Sequence, residues 1–177
     1  MKHPIALTTI ALALTLAASG CGSTSGSHTV TSDAKPTTTA ASRQPATPAV
    51  LEGAVRRAIE EAHRLSVEAL WTNRVPANPP ASGGPALASL RQSVAQRRQA
   101  GVRVRTLSEH LRILSVNLDP SYTTATATVT DDERVQTTNT DGRPRGKTVT
   151  LDEHVHLDLR RVDDTERFKV WKVVLLP

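Results

Sequence analysis

"VLEGAVRRAIEEAHRLSVEALW" (residues 50–71) decides how the chain is read. Leu51, Val55, Ala58, Ala62, Leu65 and Ala69 recur at spacings of three and four, flanked by Ile59, Ser66 and Leu70. Arg56, Arg57, Glu60, Glu61, Arg64 and Glu68 lie mostly off that stripe. One apolar face with the 3.6-residue period is an amphipathic helix, and such a helix needs a partner surface to bury its stripe. The next segment, "NRVPANPPASGGP" (73–85), stops it, because prolines and paired glycines forbid continuation. A second helix follows over "ALASLRQSVAQRRQA" (86–100), with Leu87, Leu90 and Val94 on one side and Gly101 as its C-terminal stop.

The partner surface comes from the remaining sequence, which has strand character. Residues 102–118 form a long strand with a bulge, since the apolar parity shifts between Val104 and Leu107. Residues 122–130 alternate Thr with Ala or Val, and 134–140 lead through the turn signal Asp141-Gly142 into 147–159. There Val149, Leu151, Val155, Leu157 and Leu159 share one face, interrupted by Glu153. The final stretch, "RFKVWKVVLLP" (167–177), puts Phe168, Val170, Val174 and Leu176 on one face and Trp171, Val173 and Leu175 on the other. Apolar residues on both faces predict a strand interior to the sheet. Helices followed by a meander of long antiparallel strands give an α+β class, the helices packing on a curved antiparallel sheet.

This element order, together with the closing "FKVWKVVLL", resembles the NTF2-like (cystatin-like α+β) superfamily over residues 50–177. The resemblance implies a sheet curled as a cone around the long N-terminal helix, and a homodimer as one possible partner. The chain departs from the full pattern in having two helices where three are common. If the domain were an enzyme or a small-ligand binder, the resemblance would place an acid or base inside the cone. Glu153 is the candidate, with Tyr122, Glu109 and His63 as neighbours. Glu153 pairing with an arginine at the sheet rim is the alternative. A cone filled by Leu51, Val55, Leu65 and Trp171 would leave only surface interaction.

N-terminal to the domain, the chain changes character. "MKHPIALTTIALALTLAASGC" has a basic start at Lys2, an uncharged and mostly apolar run over 5–18, and small residues before Cys21, the architecture of a secretory signal peptide over 1–20. A spanning helix needs about 20 apolar residues, and this run is shorter. Ala18-Ser19-Gly20-Cys21 resembles the lipobox of bacterial lipoproteins, with Leu16 two places earlier than the usual leucine. That resemblance implies a diacylglycerol on the Cys21 thiol and cleavage before it. The two acyl chains would anchor the protein to the membrane outside the cytoplasm, in the cell envelope. Ordinary secretory cleavage near Ala17 or Ala18, or an uncleaved anchor, are the other readings of the same residues. Residues 21–49 then form a Ser/Thr/Ala/Gly/Pro-rich tether with too little apolar surface to fold, suited to a bland spacer or to O-glycosylation.

Composition narrows the function. The net charge of +5, with 2% aromatic residues, is a weak basis for nucleic-acid binding, which needs phosphate-neutralising patches and stacking platforms. A single cysteine among 177 residues excludes an internal disulfide and a multi-cysteine zinc cluster. Arg over Lys, with many Ala, Thr and Val, suits a GC-rich bacterial genome. No hydroxyl-His-Asp signature, glycine-rich phosphate loop or zinc-protease motif is present. In "DEHVHLDLR", His154 and His156 share one strand face and have the spacing to hold one metal, with His110 as a third ligand from another strand. The same alternation is what a wet outer face needs without any metal, and the reading assigns neither metal nor cofactor. Arg97 and Arg98 at the second helix's end, and Arg143 and Arg145 at the hairpin tip, are candidates for contact with lipid phosphates or an anionic polymer. These features predict a membrane-anchored lipoprotein presenting a non-catalytic binding or assembly domain at the envelope. The alternatives are an NTF2-like enzyme or small-ligand binder around Glu153, and an accessory or inhibitory subunit of envelope machinery.

Overall fold

The computed structural model describes residues 46–162 and 165–177. The signal segment, Cys21 and most of the tether lie outside the described residues. No helix among the described residues is long and apolar enough to cross a membrane.

The first helix, α1, runs over Pro48–Thr72 and so begins inside the expected tether. The reason is local: the Thr47 side chain accepts from the Val50 amide at 3.4 Å, and Pro48 occupies the first turn, where its missing N–H costs nothing. Asn73 ends the helix in the left-handed conformation at φ 55°, and its side-chain amide donates to the Val102 carbonyl at 2.8 Å. One residue thus stops the helix and ties its end to the start of the sheet. The second helix, α2, covers Gly84–Gln99. Gly84 starts it at φ +48°, and a Cβ at that position would run into the Trp171 ring. Glycine is required there for both backbone and space.

Four strands follow: β1 (Val102–Leu118), β2 (Thr124–Asn139), β3 (Val149–Arg161) and β4 (Phe168–Leu175). They pair antiparallel in the order β1-β2-β3-β4. Two helices packed on a four-stranded antiparallel sheet make the domain α+β, as its element order predicts. The expected bulge in β1 lies between Thr106 and Ser108, and a second lies between Ile113 and Ser115. β2 runs unbroken through Asp131–Glu133, where the sequence suggested two separate segments.

The last strand corrects an expectation. β4 is an edge strand, not an interior one. Its opening residues are covered by the segment before α2: the Val170 amide donates to the Ala81 carbonyl at 2.8 Å, and the Gly83 amide donates to the Val170 carbonyl at 3.0 Å. Beyond that cover, Val173, Val174, Leu175 and Leu176 are between 37% and 62% exposed. The expected facing also fails. Val170 pairs with Leu159 and Lys172 with Asp158, so Trp171 is an extra residue and the parity flips after it. Val173 pairs with Leu157 and Leu175 with Val155, which puts them on the same face as Phe168 and Val170.

The core lies where α1 crosses that inner face. Leu51, Val55, Ala58 and Ile59 pack on Ala125, Ala127 and Val129 of β2, Leu157 and Leu159 of β3, and Phe168 and Val170 of β4. Small alanines on β2 let the helix approach closely. α2 contributes far less: Val94 is buried, but Leu87 and Leu90 are only partly so.

Candidate functional site

The partial burial of Leu90 has a cause. Between α1, α2 and the inner face of the sheet lies a cavity of about 350 Å³. Ile59, Leu70, Leu90, Leu111, Leu151 and Val173 supply apolar wall, and His63, Arg97, Asp131, Glu133 and Glu153 supply polar groups. The strand register explains how the acids arrive together. Asp131 pairs directly with Glu153, and Glu133 with Glu109. Residues directly opposite each other share a face, and with a period of two Asp131 and Glu133 continue the buried row Ala125, Ala127, Val129.

His63 projects from α1 into this cluster. Its Nδ1 lies 3.1 Å from Asp131 Oδ2, while its Nε2 lies 3.5 Å from Glu109 Oε2 and 3.9 Å from Glu133 Oε1. The His63 side chain is 15% exposed and those of Asp131 and Glu133 are each 16% exposed, so the group is largely removed from water. The Asp131 carboxylate raises the His63 pKa above its ordinary value, outweighing the burial that lowers it, and the charges on Glu133 and Glu109 add to the rise. Glu133 is pushed up first by burial and then by Asp131, against the lowering effect of His63. Glu153 is pushed up by burial and by the facing Asp131. Arg97 reaches the cavity from α2, and burial lowers its pKa. The cavity thus has apolar walls and one acidic pole with a histidine inside it. It can take a small, mostly apolar molecule whose polar group hydrogen-bonds at that pole.

No family model matches the chain, and no curated protein matches it. Among solved structures, it is similar to the crystal structure of the intermembrane space region of the chloroplast protein ARC6. That likeness has a TM-score of 0.57 at 13% identity and covers 71% of this chain and 95% of that one. It bears on the fold alone. A structure from Catenulispora acidiphila aligns over 70% of this chain and 92% of its own, with 16% identity and a TM-score of 0.36.

The structure brings some of the sequence candidates together and separates others. His63 and Glu153 both line the cavity, and Glu109 lies 3.5 Å from His63. Tyr122 does not. It sits in the β1–β2 turn at φ 56°, packed against the core next to the strand end where Thr124 pairs with Arg160. Glu153 is seven residues along β3 from Arg160, a separation on the order of 20 Å. Leu51 and Val55 fill the core, but Leu65 borders a separate surface depression and Trp171 packs beside Gly83 and Gly84, so these residues leave the cavity open.

His154 and His156 alternate with the buried Val155 and Leu157 and therefore point to the outer face, where His156 Nε2 lies 3.4 Å from Asp158 Oδ1. His110 shares that face through its pairing with Asp132, yet the three histidines form no common set of ligands among the described residues. Arg97 is half-buried. Its side chain lines the cavity, with Nη1 donating to the Ser93 carbonyl at 3.2 Å, because the α2 face carrying it turns toward the sheet. Arg98, Arg143 and Arg145 are exposed, Arg143 lying 3.5 Å from Asp141.

Sequence reasoning passed over Asp131 and Glu133. Extending the Thr/Ala/Val alternation of 122–130 by three more residues would have placed both on the inner face.

Proposed function

We propose that the chain is an exported lipoprotein whose C-terminal domain, an NTF2-like cone, binds a small molecule between its helices and sheet. The observation that carries this reading is the cavity of about 350 Å³, apolar on most sides and ending in His63, Asp131, Glu133 and Glu153. A domain serving only as an assembly surface has no need to line a cavity with five ionisable groups, Arg97 among them, since removing such groups from water is unfavourable. The ligand class that fits has an apolar body and a hydrogen-bond-donating or cationic head, such as a primary amine, placed at Glu153 and Asp131. The domain is a binder in this reading, with no reaction assigned. Lipidation at Cys21 would hold it at the outer surface of the membrane, with exposed Arg143 and Arg145 toward anionic lipid or polymer.

Two measurements test the parts separately. Titration with octylamine, octanol and octanoate, followed by tryptophan fluorescence or calorimetry, is expected to rank the amine first. Leu70→Trp should block all three, and Glu153→Gln should remove the preference for the amine. If no ligand binds, or if Leu70→Trp changes nothing, the cavity has no such role. For anchoring, wild-type protein from a bacterial host should partition into detergent, and the Cys21→Ala protein should stay aqueous. Wild type in the aqueous phase would end the lipoprotein reading.

A further inference from the structure

His63 is held in an arrangement that a small organic ligand does not explain. Its Nδ1 faces Asp131 Oδ2 at 3.1 Å, so in the neutral ring the proton belongs on Nδ1 and the lone pair on Nε2. The Nε2 atom is buried without a hydrogen-bond partner among the described residues. The charged groups nearest to it are carboxylate oxygens of Glu109, 3.5 Å away, and Glu133, 3.9 Å away. A lone pair facing two acceptors is repulsive. The strand register makes the conflict worse, because Glu109 and Glu133 are themselves directly opposite each other, an unfavourable pairing for like charges. A positive charge among the three groups, whether a proton on Nε2 or a metal ion, would turn each of these repulsions into an attraction.

We propose that His63, Glu109 and Glu133 bind one divalent transition-metal ion, with Asp131 orienting the His63 ring. The ligand atoms all lie within 4.8 Å of one another. Metal–ligand bonds of about 2.0–2.2 Å in a tetrahedral site imply ligand separations of roughly 3.3–3.6 Å, so modest rotation of the two glutamates closes the set. One imidazole and two carboxylates suit Zn²⁺, Mn²⁺ or Fe²⁺, and three protein ligands leave a coordination position open. The contact from Asp131 to Nδ1 is the carboxylate–histidine arrangement that fixes the tautomer of a metal-binding ring. The Glu109 side chain is 48% exposed and supplies the route from solvent. The site shares His63 and Glu133 with the acidic pole of the cavity, but its ligand geometry does not depend on whether that cavity takes an organic ligand.

The test uses the full chain with Cys21→Ser, so that no thiol contributes, stripped with chelator and titrated with ZnCl₂ by calorimetry. The expected result is one Zn²⁺ per chain. Glu109→Gln should weaken binding at least tenfold, and Asp131→Asn should weaken it about 10–100-fold. His154→Ala with His156→Ala should leave it unchanged, circular dichroism confirming that each variant is folded. As a measurement that needs no variant, Co²⁺ added to the wild-type fold should shift the His63 ring resonances strongly.

Failure of the folded protein to take up Zn²⁺ would overturn the proposal and leave a proton on Nε2 as the cation. So would binding that depends on His154 and His156 but not on Glu109, or Co²⁺ that leaves His63 unshifted. The titration contains no amine or alcohol. Zn²⁺ uptake without octylamine binding would keep the metal site and end the cavity reading, and the reverse result would do the opposite.

Discussion

Along the inner face of β2, Ala125, Ala127 and Val129 are each no more than 3% exposed, and the next two residues on the same face are Asp131 and Glu133. β3 repeats the division: Leu159, Leu157 and Val155 are buried, and Glu153 follows. α1 matches it from above, with Leu51, Val55 and Ile59 over the apolar half and His63 and Ser66 beside the acidic half. The two halves share β1, β2, β3 and α1, but β4 pairs only beside the apolar half, from Val155 onward. The apolar half gains from excluding water, at about 1.5–3 kcal/mol for each large side chain fully buried. The acidic half opposes that gain, because desolvation and facing like charges both work against it. What the domain spends in stability at one end is available for binding at that end.

The largest effect should come from the apolar half. Leu51→Ala or Leu159→Ala, each at a site only 1% exposed, should lower unfolding stability by about 2–5 kcal/mol in a urea titration. Leu90→Ala, beside an existing void, should cost on the order of 1 kcal/mol. Equal losses at the two ends would erase the contrast.

A smaller effect should come from pH. His63, Glu133 and Glu153 all have pKa values raised in the fold. A raised group contributes stability that is complete below its unfolded pKa and is lost as pH rises through the folded value. The loss therefore begins above 4.5 for the two glutamates and above 6.5 for the histidine. Thermal unfolding should occur at a higher temperature near pH 5 than near pH 8. Glu153→Gln should recover about 0.2–1 kcal/mol at pH 8 by relieving the opposition to Asp131, and should recover nothing near pH 4. Leu159→Ala should lower the curve without changing its slope.

The smallest effect has the opposite sign and lies in the turn beside the apolar half. Asp119 Oδ1 accepts from the Thr124 amide at 2.8 Å, and Oδ2 accepts from the Ser121 amide and hydroxyl. These bonds, the one from the Ser121 hydroxyl first, hold its pKa down to about 2 from 3.8. Its contribution is present above 3.8 and disappears as pH falls toward 2. Asp119→Asn should flatten the acid limb of the stability curve and leave the alkaline limb alone. An acid limb governed by Glu133 instead would show that the two ends are not separable.

How much of this was legible varies by element. The α1 stripe, the proline–glycine break and the β1 boundaries could all be read because each depends on local spacing. Glu153 stood out because it interrupts an apolar row on its own strand. Asp131 and Glu133 did not stand out, since "TDDER" alone reads as a polar break until pairing with β3 carries the alternation across it. The extra residue at Trp171 was equally hidden, because a bulge is a property of two strands together. Arg97 looked like surface charge until α2 was set over the sheet.

By itself, the sequence determined the helix-then-meander order, the α+β class and the faces of α1, because periodicity and turn chemistry act over a few residues. Only the tertiary structure decided that β4 lies at the edge, that an open cavity remains beside the core, and that His63 faces carboxylates from β1 and β2. Those outcomes depend on register between segments distant in the chain. His63 and Glu133 are seventy residues apart in sequence and 3.9 Å apart in the fold.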